Sequence, residues 1–351
     1  MRSSTSSFNN IFLGITPYQQ RLHLWLLLFV TLFAGLMNFI FHGYPRHKGN
    51  FEFVSEAVYK EFRAEVENAD LLPAYTSRTG HLDHSYYFLG LPEMLPNLKG
   101  AKMLFIGNSR IQFGINDTLL KPHLDAMGIP FHMLAFGHGE KSEFAMQLIE
   151  KFNLQPEIIV INANPGYFNP YLTERAEKVI EEDDSWYNRQ SLWLTLFVAA
   201  LHEINRFMPA NKKMIPKYWM SRSKVTGSWQ FTESFHTNLK NIEFKPKSKC
   251  EPLGETQIQN ILQFRKRLLK LNPTIKIISL QVPFPGSCSE RPNQVAKLLG
   301  GQAFYYHPDA SKPMATIDES HLTKKNQNRY TKALAAYLEK NIVISTTVKP
   351  H

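Results

Sequence analysis

The sequence predicts an α/β fold, with helices packed on both faces of a mainly parallel sheet (a three-layer α/β/α sandwich) and one transmembrane helix before it. Three observations predict this arrangement. Short apolar runs recur after residue 101, segments of helical periodicity separate them, and a long apolar stretch lies near the N terminus. The 351 residues, 43% of them hydrophobic, can bury the core that such a fold requires.

The apolar stretch LHLWLLLFVTLFAGLMNFIF, residues 22–41, carries no formal charge. As a helix it is long enough to cross about 30 Å of hydrocarbon. We therefore predict a transmembrane anchor at 22–41 and a cytoplasmic tail at 1–21, because Arg2 and Arg21 have no acidic neighbour on that side. A buried core helix and a cleaved signal peptide are the alternatives.

Residues 42–100 show no clear period and are predicted to form a stalk and lead-in. Residues 101–345 have the pattern of a folded domain. Segments such as KSEFAMQLIEKFN and ETQIQNILQFRKRLLKLN repeat apolar residues at helical spacing. Between such segments, apolar runs suit strands that are buried on both faces, at 103–107, 130–137, 157–164, 275–284 and 302–307.

Residues 165–255 are too long for a simple crossover and are predicted to form an insertion that contains an apolar helix, SLWLTLFVAALHEINRFM. Between Arg206 and Lys249 there are ten Lys or Arg and two Glu, so this segment holds most of the chain's net charge of +10. Aromatic residues are interleaved with these charges. The insertion is either a contact surface for membrane headgroups or an acidic glycan, or a solvated loop with its own small aromatic core.

The chain contains two cysteines, Cys250 and Cys288. They can form a disulfide in an oxidising compartment or remain two buried thiols, and the sequence leaves both possibilities open. Neither a C-x-x-C spacing nor a metal-binding histidine spacing is present, so we expect no metal site and no cofactor.

Two short segments contain groups suited to acyl chemistry. Ser109 directly follows the apolar run that ends at Gly107, and the glycine is expected to leave room for a substrate. Near the C terminus, Asp318 and His321 are three residues apart, so a turn can direct a carboxylate and an imidazole to one place. The carboxylate would orient an imidazole that accepts the serine proton. Alternatively, Asp318 or Ser320 caps the last helix and His321 is simply exposed.

Taken together, these segments resemble the SGNH (GDSL-like) hydrolase and acyltransferase superfamily. Gly107–Arg110 is similar to its nucleophile block, in the G-x-S-R form of membrane-anchored members that resemble polysaccharide O-acylation and teichoic-acid D-alanylation proteins. The pair Asp318 and His321 matches the superfamily's last block in spacing and position. The resemblance implies a flavodoxin-like sheet.

The other two blocks match less completely. The second block supplies a glycine whose backbone N–H binds the oxyanion, and the chain offers Gly137 and Gly139. The third block is G-x-N-D in typical members. Here Asn162 and Pro165 replace its glycine and aspartate, while Asn164 matches the oxyanion asparagine.

The resemblance implies a serine-dependent esterase or O-acyltransferase anchored in a bacterial inner membrane, with its globular domain on the periplasmic side. Its expected partners are an exported polysaccharide or other glycan, the membrane and a membrane-bound acyl-donor protein, and not nucleic acid. The alternative is an inactive glycan-binding or assembly protein. The implied roles are nucleophile for Ser109, general base and acid for His321, orienting carboxylate for Asp318, oxyanion donors for Asn164 with Gly137 or Gly139, and substrate binding for Arg110.

Overall fold

A parallel five-stranded sheet forms the centre of the fold. The computed structural model describes residues 25, 51–75, 91–137, 139–181, 196, 199–216, 219–231, 241–247, 249–306 and 313–342. The chain divides into two units, Met1–Asn50 and Phe51–His351, and every element named below belongs to the second.

The helices and strands alternate along most of the second unit. In chain order they are β1 (Phe51–Val54), α1 (Glu56–Glu67), β2 (Leu71–Tyr75), α2 (Leu91–Gly100), β3 (Met103–Asn108), α3 (Ser109–Gly114), α4 (Asp117–Ala126), β4 (Phe131–Phe136), α5 (Ser142–Lys151), β5 (Ile158–Asn162), α6 (Glu174–Glu181), β6 (Lys213–Pro216), β7 (Trp219–Ser223), β8 (Trp229–Phe231), β9 (Ile242–Phe244), α7 (Glu255–Leu271), β10 (Lys276–Leu280), α8 (Arg291–Leu299), β11 (Gln302–Phe304), β12 (Met314–Thr316) and α9 (Lys324–Asn341). A 3-10 turn lies at Pro165–Tyr167, and residues 199–207 are helical.

The central sheet has the order β11-β10-β5-β3-β4, and all its neighbours are parallel. Read from the β4 edge, the strands rank second, first, third, fourth and fifth in chain order, as in flavodoxin-like sheets. The predicted α/β fold is therefore confirmed. All five predicted runs are strands of this sheet.

Alternation along each strand divides the core into two layers, as the continuous apolar runs predicted. In β3, Leu104 and Ile106 face a cluster that includes residues of α2, α5, α7 and α8. Met103 and Phe105 face the opposite cluster, which includes residues of α3, α4 and α9. Helices therefore cover both faces of the sheet, and the strand ends remain at its edges.

The described parts of the lead-in and the insertion pair with each other. Strand β1 is antiparallel to β6, and β2 is antiparallel to β7, which also pairs with β8. The turn between β7 and β8 reaches the edge strand β4, where the Met133 N–H donates to the Thr226 carbonyl at 2.7 Å. The insertion thereby covers an edge that would otherwise present unpaired backbone groups.

The two cysteines form a disulfide with a Cα–Cα separation of 5.4 Å. It links the segment before α7 to the loop after β10. Among the described residues, no helix is both long enough and apolar enough to cross a membrane. The anchor predicted at 22–41 lies, except for Trp25, outside these residues.

Candidate active site

The carboxyl ends of three neighbouring strands bring the predicted site residues to one edge of the sheet. Asn108 at the end of β3 is in register with Phe136 at the end of β4, so Ser109 and Gly137 leave the sheet side by side. On the other side of β3, strand β5 leads into Asn164. In parallel sheets, binding sites form beyond this edge.

Ser109, His321 and Asp318 form a continuous hydrogen-bonded chain. The Oγ atom of Ser109 lies 2.8 Å from Nε2 of His321. The Nδ1 atom of the same ring lies 2.7 Å from Oδ2 of Asp318. An ionised carboxylate can only accept a hydrogen bond, so Nδ1 carries the proton and Nε2 is left to accept the serine proton.

Asp318 also organises the loop that carries the histidine. Its Oδ1 atom accepts hydrogen bonds from the backbone N–H groups of Ser320, at 3.1 Å, and His321, at 2.9 Å. Glu319, which lies between Asp318 and Ser320, has a φ of +65°, a conformation that non-glycine residues rarely adopt. The loop is therefore bent so that one carboxylate binds both the backbone and the imidazole.

These contacts exclude the helix-capping interpretation of Asp318 and Ser320. Helix α9 begins at Lys324, and its N-cap residue is Thr323. Burial alone would raise the pKa of Asp318, but the hydrogen bond and positive charge of His321, together with the two backbone N–H groups, hold that pKa below its usual value. Asp318 is therefore ionised at neutral pH and can stabilise a protonated His321.

Helix α3 begins at Ser109, directly after the end of β3. Asn108 is its N-cap, and the Asn108 side chain accepts a hydrogen bond from the Arg110 N–H. A Cβ atom at Gly107 would lie 2.2 Å from Cγ1 of Ile111. The expectation that this glycine leaves room for a substrate was wrong, because Ile111 already fills that space. Gly107 instead lets α3 pack tightly against β3.

The two asparagines of the third block have different partners. Asn162 is buried and donates from Nδ2 to Oδ1 of Asn108 at 3.1 Å, while its own Oδ1 accepts from the Asn164 N–H at 3.4 Å. The Oδ1 atom of Asn164 accepts from the Gly166 N–H at 3.1 Å. This bond orients the Asn164 amide. Asn162 links the nucleophile strand to the predicted oxyanion residue.

The two candidate glycines differ in their surroundings. A Cβ atom at Gly137 would meet no atom within 4 Å, whereas one at Gly139 would lie 3.5 Å from Thr173. Gly137 comes directly after β4, beside Ser109, and Gly139, which is exposed, lies two residues further along the chain. The open space beside Ser109 therefore favours Gly137.

Arg110 contacts the loop that carries the histidine. Its Nε atom donates to Oγ of Ser320 at 3.1 Å, and its guanidinium carbon lies 3.7 Å from the ring centroid of Phe284. Desolvation lowers the pKa of Arg110, and the charge of Asp318 opposes that shift. Arg110 thus connects the nucleophile helix to the Asp318–His321 loop.

Sequence reasoning missed the aromatic residues beneath the histidine. The rings of Phe113 and His321 have centroids 4.2 Å apart, and Trp229 packs edge-on against Phe113 at 6.1 Å. Gln112 contacts the β7–β8 hairpin, because its Oε1 atom accepts a hydrogen bond from the Trp229 N–H at 2.7 Å. More than one hundred residues separate these partners, so no local pattern could have revealed them.

Several basic residues of the insertion have partners inside the fold. Arg222 is fully buried and donates to the carbonyls of Gly227, at 2.6 Å, and Ala135, at 3.1 Å. Lys224 forms an ion pair with Glu93 of α2. Part of the charge that suggested a contact surface therefore fixes the insertion to β4 and the lead-in.

The site contains the groups that acyl transfer through a serine requires. A base contacts the hydroxyl, a carboxylate orients the base, and backbone and amide donors lie at the same edge. Within the described part of the chain, no group of three or more His, Cys, Asp or Glu is placed to hold a metal ion.

No family model matches the chain. No curated protein matches it either. Among solved structures, it is similar to an acetyl xylan esterase from the rumen bacterium Butyrivibrio proteoclasticus, with 15% sequence identity and a TM-score of 0.30. The match covers 69% of this chain and 64% of that one, so this chain spans less than two thirds of the esterase's length. A TM-score this low carries no argument about activity, which rests on the geometry of the site.

Proposed function

We propose that this protein is a serine-dependent acyl-ester enzyme, with Ser109 as nucleophile and His321 as general base and acid. The observation that carries the proposal is the pair of hydrogen bonds at His321, 2.8 Å to Ser109 and 2.7 Å to Asp318. In the bond to Ser109, the Nε2 lone pair of His321 faces the hydroxyl. The bond to Asp318 stabilises the imidazolium that forms when the proton moves. A capping or packing role for Asp318 and His321 would require neither bond.

In the first step, the Ser109 oxygen bonds to the acyl carbon while its proton moves to Nε2 of His321. The negative charge on the carbonyl oxygen is stabilised by the side-chain amide of Asn164 and the N–H of Gly137 or Gly139, each donor being worth on the order of 3 kcal/mol of barrier. The bond to the alcohol then breaks, and that alcohol takes the proton from His321. An acyl group remains on Ser109.

In the second step, a hydroxyl compound attacks the acyl-enzyme and gives its proton to His321, which returns it to Ser109. Water as the attacking group completes hydrolysis, and a sugar hydroxyl completes transfer. We propose that the acyl group is acetyl-like and that the acceptor or donor is an exported cell-surface glycan. The resemblance to anchored polysaccharide-acylating proteins supports this choice, with the membrane and an acyl-donor protein as further partners.

We also place the domain outside the cytoplasm, tethered to the inner membrane by residues 22–41. The disulfide between Cys250 and Cys288 supports this location, because disulfides persist in oxidising compartments. The apolar stretch at 22–41 supports the tether. A reporter enzyme that is active only in the periplasm, fused to the C terminus, tests the orientation. Activity of a cytoplasm-only reporter at the same position would reject it.

Labelling with a fluorophosphonate ester probe tests the serine mechanism and the alternative of an inactive glycan-binding protein together. We expect the folded protein to be labelled at Ser109, and Ser109→Ala to prevent labelling. Ser320→Ala, a change at a second serine of the same edge, should still be labelled. Absence of labelling in the folded wild-type protein would favour the inactive binding protein.

A further inference from the structure

Arg110 presents charged donors beside the nucleophile. Its Nε atom is bonded to Ser320, and its guanidinium plane stacks on Phe284 at 3.7 Å. The two Nη nitrogens form no hydrogen bond or ion pair with any residue that the structure describes. The backbone of Arg110 directly follows that of the nucleophile, Ser109. A guanidinium whose Nη groups have no partner in the described part of the chain therefore lies against the loop that carries His321.

The surroundings of Arg110 make such a cation costly without a further partner. The side chain is half-buried, and burial disfavours its charged form. Asp318 interacts with it electrostatically, but no ion pair within 4.0 Å joins them in the described chain. Asp318 uses both oxygens for His321 and Ser320 instead. The Phe284 ring and the single bond to Ser320 offset part of this cost and also fix the direction of the fork.

We propose that the two Nη groups of Arg110 bind a carboxylate or phosphate of the substrate, so that the site selects acidic esters or acidic acyl acceptors. A guanidinium fork held by stacking suits bidentate binding of a planar carboxylate or a phosphate. The chain's net charge of +10 would favour the approach of such an anionic polymer. The inference rests on the proposed function only in taking Ser109 as the reacting group.

Binding to a protein that cannot turn over tests this inference without relying on catalysis. The probes are meta-acetoxybenzoate, meta-acetoxyphenyl phosphate and the neutral meta-acetoxybenzamide, titrated calorimetrically into Ser109→Ala. We expect at least one acidic ester to bind about tenfold to a hundredfold more tightly than the amide, as for a charge-assisted pair. Which acidic ester binds more tightly distinguishes a carboxylate from a phosphate ligand.

Adding Arg110→Gln to Ser109→Ala should remove most of that preference, and Arg110→Lys, which keeps the charge but not the fork, should leave an intermediate value. Raising the ionic strength should weaken the preference in Ser109→Ala and have little effect after Arg110→Gln. Equal affinity for acidic and neutral probes, or a preference that survives Arg110→Gln, would overturn the proposal.

Turnover of the same esters separates ligand binding from a role in bracing the loop. Ser320→Ala removes the acceptor for Nε but keeps the charge and the stack on Phe284, so most of the acidic-to-neutral ratio of kcat/KM should persist. Arg110→Gln should lower that ratio. An equal loss on all three esters would show that Arg110 only braces the loop and would overturn the inference. Charge preference in binding without any turnover would contradict the proposed function alone.

Discussion

In the candidate site, Ser109, His321 and Asp318 are joined by side-chain hydrogen bonds of 2.7 and 2.8 Å. The predicted oxyanion donors, Asn164 and Gly137, instead share only an edge of the sheet, where the ends of β5 and β4 place them. The first set is a network whose members fix one another. In the second set, the backbone after β4 places Gly137, and the backbone after β5 places Asn164, whose amide is oriented by the Gly166 N–H.

This difference predicts how each half responds to mutation. Removing one member of the network leaves the others without the partner that orients them, so the losses are large and not additive. Removing one backbone-placed donor leaves the remaining donors where they were, so the loss is about that of a single hydrogen bond to the oxyanion. Mutations in each of the two sets test this contrast.

The largest effect is expected from His321→Ala. The variant removes the base that contacts Ser109, and we expect kcat/KM for para-nitrophenyl acetate to fall about a thousandfold to ten-thousandfold. Added imidazole should restore part of the activity. His123→Ala, at an exposed histidine that pairs with Glu339 on the protein surface, is the control and should stay close to wild type. A loss of less than about tenfold would mean that His321 is not the base.

Asp318→Asn should have the next largest effect. The asparagine can still accept the two backbone bonds, but it no longer fixes the tautomer of His321 or stabilises its positive charge, so we expect kcat to fall about a hundredfold or more. The control is Glu319→Gln, which removes one negative charge at the neighbouring exposed residue. Equal losses in the two variants would indicate a general charge effect and not an oriented imidazole.

The geometry of this network was predictable in part. Ser109, Asp318 and His321 were identified because a strand end and an Asp-x-x-His turn are local patterns. The stacking of Phe113 on His321, the bond from Arg110 to Ser320 and the bond from Asn162 to Asn108 depend on how distant segments pack. Propensity and periodicity carry no information about such contacts.

The fold shows the same limit. The five central strands follow from continuous apolar runs, because burial on both faces requires them. The pairing of β1 with β6 joins residues about one hundred and sixty positions apart, in two strands of only four residues each. The role of Gly107 was misjudged for a similar reason, since the neighbour that requires a glycine there is Ile111 of the following helix.

Asn164→Ala tests the backbone-placed half. It removes one amide donor while Ser109, His321 and Asp318 remain bonded, so we expect kcat to fall about a hundredfold. The fluorophosphonate probe should react more slowly, because its phosphoryl oxygen occupies the same oxyanion site, but it should still label Ser109 at long times. Asn169→Ala, at a nearby exposed asparagine, is the matched control.

Gly137→Ala should reduce turnover more than Gly139→Ala, because its methyl group enters the open space beside Ser109. The reverse order would assign the second donor to Gly139.

The disulfide is expected to affect the stability of the fold and not the hydrogen bonds among Ser109, His321 and Asp318. Cys288 lies in the loop that holds Phe284 against Arg110, and 38 positions separate it from Cys250. Replacing both cysteines with serine should lower the free energy of unfolding by about 2–4 kcal/mol, measured in urea. Turnover well below the melting temperature should change little. An unchanged stability would mean that the bond does not constrain the unfolded chain.

The smallest effect is expected in the pH dependence of stability. The pKa of Asp318 is lower in the folded than in the unfolded chain, so its stabilisation is fully present above the unfolded value of about 3.9 and is lost as the pH falls through the lower folded value. The gap in unfolding free energy between wild type and Asp318→Asn should therefore narrow from about pH 6 to about pH 2. A gap that is constant across this range would mean that Asp318 is not selectively stabilised in its ionised form. Because Asp318 is about half-exposed, the change should be small.

The most direct measurement is to find where an acyl group resides after the enzyme meets an activated ester. The protein is mixed with para-nitrophenyl acetate, quenched in acid at short times and mapped by mass spectrometry. We predict an acetyl group on the peptide that contains Ser109, formed with the burst of nitrophenol, slowed in His321→Ala and absent in Ser109→Ala. Turnover that leaves Ser109 unmodified, or acetylation that persists in Ser109→Ala at the wild-type rate, would contradict the serine mechanism.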